Sequence, residues 1–186
     1  MRSKMKLRIQ ENAYILGVLL LFLVPFRWII AWLIAVGVHE LFHYVAVRIL
    51  GGHVHELTIN IGGIQMYADS LSDRKRVISI LSGPIFGFLP VIFGSRFPEL
   101  EICCWVLSLY NLLPLSFLDG GNALCILVKN NKIVNGIERF ILFLLIVAGV
   151  FCTFCLHLGI LPIVIVAAVC VRNRKKPCKD SFCKVQ

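Results

Sequence analysis

Charge is what this chain has least of. Only 16% of its 186 residues are Asp, Glu, Lys or Arg, against 59% hydrophobic, and its mean hydropathy is +0.86. No polar stretch is long enough to form a second globular unit. An ordinary soluble domain is therefore excluded, and a single membrane-embedded domain over residues 1–186 is expected. Acidic residues are scarcer still, 10 against 19 basic, for a net charge of +9. A nucleic-acid binder would gather that excess on one face. Here it falls in short clusters between apolar runs, so it reads as membrane topology, and nucleic acid is excluded as a partner. The basic start, Met1-Arg-Ser-Lys-Met-Lys-Leu-Arg8, lacks a clean small-residue cleavage site behind it and is read as part of the mature chain. Internal repeats and low-complexity segments are also missing.

Cysteine is not scarce, at eight. Cys103, Cys104, Cys125, Cys152, Cys155 and Cys170 lie in or beside apolar runs, where a free thiol packs as a small hydrophobe, so no disulfide framework is expected. Cys178 and Cys183 in the polar tail are too few for a structural zinc site.

The apolar runs predict an all-α polytopic membrane protein with about six transmembrane helices, near 13–26, 28–50, 76–94, 100–118, 137–156 and 158–172. Basic residues alternate between the connections. The N-terminal cluster, Arg48 with Arg74-Lys75-Arg76, Lys129 with Lys132 and Arg139, and the basic tail from Arg172 (172–186) fall on one side, while only Arg27 and Arg96 fall on the other. Both termini are then cytoplasmic. Between the second and third spans, Leu57-Thr-Ile-Asn-Ile61 and Ile64-Gln-Met-Tyr-Ala68 alternate apolar and polar residues around Gly62-Gly63. That predicts a small β-hairpin at the cytoplasmic membrane surface, with an irregular re-entrant loop as the alternative.

His39-Glu40-Leu41-Phe42-His43 is the densest chemical signal, because it interrupts a run, Trp28 to Val38, that has no other polar side chain. An ionisable group at the centre of a spanning helix costs about 2.5–3.5 kcal/mol even on a lenient scale, so it usually marks a site. Residues four apart share a helix face, which lets His39 and His43 offer ring nitrogens to one Zn²⁺. Glu40 then lies near the open coordination position as a general base. A catalytic zinc needs a third protein ligand. Asp119 is the acid at suitable depth, at the end of Asn111-Leu-Leu-Pro114-Leu-Ser-Phe-Leu-Asp119-Gly120-Gly121. Pro114 and the glycine pair let the backbone unwind and turn that carboxylate inward. Taken alone, Asp119 reads more commonly as a helix cap at the membrane interface. His53 and His55 are placed outside the site, as interfacial histidines.

With these motifs the chain resembles the site-two-protease family of intramembrane metalloproteases. It carries H-E-x-x-H as His39 to His43, and N-x-x-P-x-x-x-x-D-G as Asn111, Pro114, Asp119 and Gly120. Ser82-Gly83-Pro84-Ile85-Phe86-Gly87 resembles the glycine-rich motif that lets the family's core helices pack closely. The resemblance covers about residues 28–130. It implies one zinc per chain on His39, His43 and Asp119, with Glu40 as base and Asn111 orienting the substrate. Two departures stand out. Phe42 occupies a position where the family often has a small residue. Neither a peptide-binding insertion nor a nucleotide-sensing tail domain is expected, as in a minimal form related to the sporulation-type branch.

The implied activity is zinc-dependent hydrolysis of a peptide bond in or near the membrane segment of a membrane-associated protein. Cleavage would release a regulatory protein from a bacterial cell membrane, and an inhibitory or regulatory membrane protein is an expected partner. The alternative is a silent membrane scaffold that keeps its metal. A metal transporter fits less well, because the last two spans offer almost no ligands apart from His157. A membrane-embedded protease with a soluble catalytic face lacks the polar domain to hold one.

Overall fold

The computed structural model describes residues 6–9, 11, 24–60, 63–68, 71–89, 97–154 and 161–174. The chain falls into two compact units, Met1–Asn111 with Lys184–Gln186, and Leu112–Cys183.

The first unit is organised by α1, Phe26–Ile49, which is 24 residues long. At 1.5 Å per residue it spans about 36 Å, enough for a hydrocarbon core about 30 Å thick. Pro25 precedes it, where a missing N–H costs nothing, and the Pro25 carbonyl accepts the Trp28 amide at 3.0 Å. The helix ends at Leu50, whose carbonyl accepts Lys75 Nζ at 2.9 Å, and at Gly51, which takes the left-handed φ of 89°. Ala31, Ala35, His39 and Val47 are its buried residues, while Ile30, Trp32, Leu33, Ile34 and Leu41 face outward. Small and polar side chains inside with bulky apolar ones outside is the arrangement that lipid favours.

Two shorter helices pack on α1. α2 (Asp73–Phe86) presents Ser79, Ile80, Ser82, Gly83 and Pro84 as its buried face. Ser82 Oγ donates toward the Ser79 carbonyl at 2.7 Å and across to the Phe42 carbonyl at 3.1 Å. α3 (Pro98–Leu112) brings Cys103 and Cys104 against Ala31 and Ala35, with Trp28, Leu100 and Leu107 around them.

The hairpin is present and larger than its alternation predicts. β2 (Val54–Asn60) pairs antiparallel with β3 (Gly63–Ala68), Leu57 opposite Met66 and Ile59 opposite Ile64. The residues of the turn between them, 61–62, lie outside the described residues. A third strand, β1 (Lys6–Ile9), adds to β2 in parallel, with Leu7 opposite Leu57 and the sheet order β1-β2-β3. Lys6-Leu-Arg-Ile9 does alternate polar and apolar, a strand signal that its basic charges obscure. Arg8 Nε lies 3.1 Å from Glu56 Oε1, a pair whose arginine is exposed and which carries little energetic weight.

In the second unit, Pro114 explains why helix stops at Leu112: the residue before proline is pushed out of the α region. The segment through Leu118 turns tightly, with Leu115, Ser116, Phe117 and Leu118 all buried, and its Leu118 amide donates to the Leu115 carbonyl at 2.8 Å. α4 (Asp119–Leu127) follows, then α5 (Asn131–Phe154) and α6 (Leu161–Arg174). Asn130 caps α5 by accepting the Lys132 amide on Oδ1 at 3.0 Å. The glycine pair serves close approach, not a bend: both glycines are helical, and a Cβ on either would collide with backbone, Leu112 for Gly120 and Leu115 for Gly121.

Among the described residues two helices, α1 and α5, are long and apolar enough to cross a membrane. The expected spans at 76–94, 100–118 and 158–172 overlap in part the shorter α2, α3 and α6, while residues 90–94 and 158–160 and most of the expected 13–26 span lie outside the described residues. One expectation is corrected: Cys125 is disulfide-bonded, while Cys103, Cys104 and Cys170 are free as expected. Hydropathy placed each thiol by depth, and depth says nothing of which thiols meet.

Candidate metal centre

His39 is 4% exposed and His43 is half-buried, one turn apart on α1. Their Nε2 atoms are 3.2 Å apart, and the rings meet edge to face with centroids 4.8 Å apart and an interplanar angle of 82°. The His43 tautomer follows from its other nitrogen. Nδ1 lies 2.8 Å from the Ser79 carbonyl oxygen, which only accepts, so Nδ1 carries the proton and Nε2 carries a lone pair. Two nitrogens bound at about 2.0–2.1 Å to a tetrahedral ion stand about 3.3 Å apart. The observed separation matches, so the donor pair fits zinc. Holding a ligand histidine by its far nitrogen is also how metal sites fix ring orientation.

α2 supplies the space as well as the hydrogen bond. A Cβ on Gly83 would collide with the His43 imidazole, so any larger residue would displace the ring. Gly87, which caps α2 by donating its amide to the Gly83 carbonyl at 2.7 Å, lies beside His39. A Cβ there would stand 3.5 Å from His39 Nδ1 and 2.6 Å from Ser108 Oγ. The sequence singled out this glycine segment for helix packing; it did not identify the imidazoles as what the glycines accommodate. Ser79 was missed altogether, because a backbone carbonyl leaves no mark in residue identity.

Glu40 adjoins His39 in the chain and is half-buried. Asp119 is the first residue of α4, following Leu118 in the cap position. It is thus not the helix cap that its sequence context alone would favour, and its charge sits at the positive end of the helix dipole. His39, His43 and Asp119 each offer one ligand atom of a kind that a metal ion takes. Asn111 donates Nδ2 to the Leu107 carbonyl of its own helix at 2.9 Å. His53 and His55 are exposed at the start of the sheet. Phe42 stacks on Phe86 of α2, centroids 5.3 Å apart and planes at 29°.

No protein-family model matches the chain, and no curated protein matches it. Among solved structures, the Site-2 Protease from Methanocaldococcus jannaschii is similar over 100% of this chain and 95% of its own, with a TM-score of 0.67 at 18% sequence identity. At that identity the likeness establishes the architecture: this chain has the fold of a site-2 protease.

Proposed function

We propose that this chain is an intramembrane zinc metalloprotease, a minimal form related to the sporulation-type branch. It would hydrolyse a peptide bond in or near the membrane segment of a membrane-associated protein and release a regulatory protein. One observation carries the reading: two imidazole nitrogens 3.2 Å apart in an otherwise apolar helix, one ring locked by the Ser79 carbonyl so that its lone pair faces the other. The site-2 protease fold supports it. In this reading His39, His43 and Asp119 hold one zinc per chain. When bound, the ion supplies Lewis-acid polarisation of the scissile carbonyl and acidifies a water to a pKa of about 7.

The remaining steps fall to the chain's own groups. Glu40 takes the proton of the attacking water and hands it to the leaving amine. A helical substrate shields its own peptide bonds, so it must be held extended. Among the described residues β2 is already paired on both sides, so an incoming strand would add to an outer edge of the sheet, that of β3 or of β1. Asn111, its amide committed to Leu107, offers Oδ1 to a substrate N–H. The six-span arrangement in a bacterial cell membrane, with both termini cytoplasmic and a regulatory membrane protein as partner, belongs to the same proposal and draws on the clustered basic residues.

The test is co-expression with membrane-tethered candidate substrates and mass mapping of any new terminus. The wild type should produce one and Glu40→Gln should not. The same terminus at the same yield with Glu40→Gln overturns the mechanism.

A further inference from the structure

Ser108 is 1% exposed in α3, and its hydroxyl oxygen is fully buried with no hydrogen-bond partner among the described residues. Buried hydroxyls are nearly always satisfied, in a helix commonly by the carbonyl one turn back. One left open is therefore a group in want of a ligand. Its surroundings say which. Ser108 Oγ and His39 Nδ1 both border the space in which a side chain on Gly87 would begin, at 2.6 Å and 3.5 Å from that point. Having no side chain, Gly87 lets the Ser108 hydroxyl come closer to the α2 backbone than any Cβ would allow. His39 turns Nε2 toward His43, so the Nδ1 side of its ring is the side that faces Gly87 and Ser108.

We infer that Ser108 is a positioning residue for His39: its hydroxyl accepts the Nδ1–H when Nε2 binds the metal. The inference rests on the zinc reading above. A histidine bound through Nε2 carries its proton on Nδ1, and that proton needs an acceptor to fix the ring. For His43 the acceptor is the Ser79 carbonyl of α2. For His39 it is a side chain of α3, so each ligand is oriented from a different neighbouring helix. Asn111, one turn on along α3, bears the substrate role proposed above, and Ser108 acts one layer behind the metal.

The experiment measures zinc affinity of the purified full chain by chelator competition, together with the visible spectrum of its Co²⁺ form. The variants are Ser108→Ala and the matched pair Ser108→Thr and Ser108→Val. Thr and Val have nearly the same volume, but only Thr keeps the hydroxyl. Ser108→Ala and Ser108→Val should bind zinc about 10–100 times more weakly, as loss of an outer-shell partner usually does, with a shifted Co²⁺ spectrum. Ser108→Thr should restore both readouts, and without metal the Val variant should melt no lower than the Thr variant, since it buries no unpartnered hydroxyl. Wild-type affinity and spectrum in Ser108→Ala and Ser108→Val overturn the inference, as does an equal loss in Ser108→Thr, which would mean packing alone. A His39→Ala control separates the two levels. If it loses zinc while the Ser108 variants do not, only the role of Ser108 falls; if the wild type binds no zinc, the metal reading falls and this inference with it.

Discussion

α1 and α5 are the two membrane-length helices among the described residues, each 24 residues long, and they differ in which side chains they bury. α1 turns Ala31, Ala35 and His39 inward and closes on α2 and α3 through hydrogen bonds and small side chains. α5 exposes Phe140, Phe143, Leu144, Ile146, Val147, Val150, Phe151 and Phe154 and buries little besides Val134, Gly149 and Glu138. Hydropathy alone ranks them as equals. What separates them is the neighbour: polar groups persist in an apolar helix where adjacent backbone and glycines are shaped to receive them.

The largest expected effects break that contrast on α1. His39→Ala or His43→Ala should strip bound zinc and abolish cleavage, whereas Leu144→Ala on the outward face of α5 should leave both intact. Metal analysis of purified protein reads the outcome, and full zinc occupancy in the His39→Ala, His43→Ala double variant removes the metal assignment. Next in size, Glu40→Gln should keep zinc and lower cleavage by about 10²–10⁴-fold, the usual contribution of a general base. Loss of zinc in that variant would instead make Glu40 part of the metal's support.

Much of this site was legible in residue identity. His39, Glu40 and His43 stood out because ionisable groups are costly in apolar runs, and Asp119 because Pro114 announces a break in the helix before it, although the two glycines that follow are helical and serve close approach. The hairpin was legible from its period-2 alternation. What the sequence hid was partnership. β1 was masked by its own charges, the Ser79 carbonyl by being backbone, and the purpose of Gly83 and Gly87 by the absence of a side chain to read. The bond at Cys125 was hidden for a similar reason, since a thiol's burial does not name its neighbour.

Glycine sharpens the comparison at smaller cost. On α2, Gly83→Ala drives a methyl into the His43 ring. Overpacking of this kind costs about 1–3 kcal/mol, and zinc affinity should fall with it. On α5, nothing lies within 4 Å of a Cβ at Gly136, so Gly136→Ala should be neutral or gain about 0.5–1 kcal/mol of helix stability. Thermal melting of the two variants side by side decides this. Equal melting temperatures would mean that the groove on α2 is looser than its geometry indicates.

The smallest effect concerns Phe42, the bulky residue inside the metal motif. It is half-buried and stacks on Phe86, itself 47% exposed. A fully buried phenylalanine cut to alanine costs about 3–5 kcal/mol, but an aromatic pair of this kind adds only about 0.5–1.5 kcal/mol beyond the area it buries. Phe42→Ala should therefore lose about 1–2 kcal/mol, less than a core truncation and more than Phe143→Ala on the exposed face of α5. Because Phe42 contacts α2 through its ring, the variant should keep its zinc and its preference around the scissile bond. A Phe42→Ala protein that melts like the wild type yet accepts bulkier residues at the cleavage position would show that the ring narrows the substrate cleft, and the stacking role assigned here would be wrong.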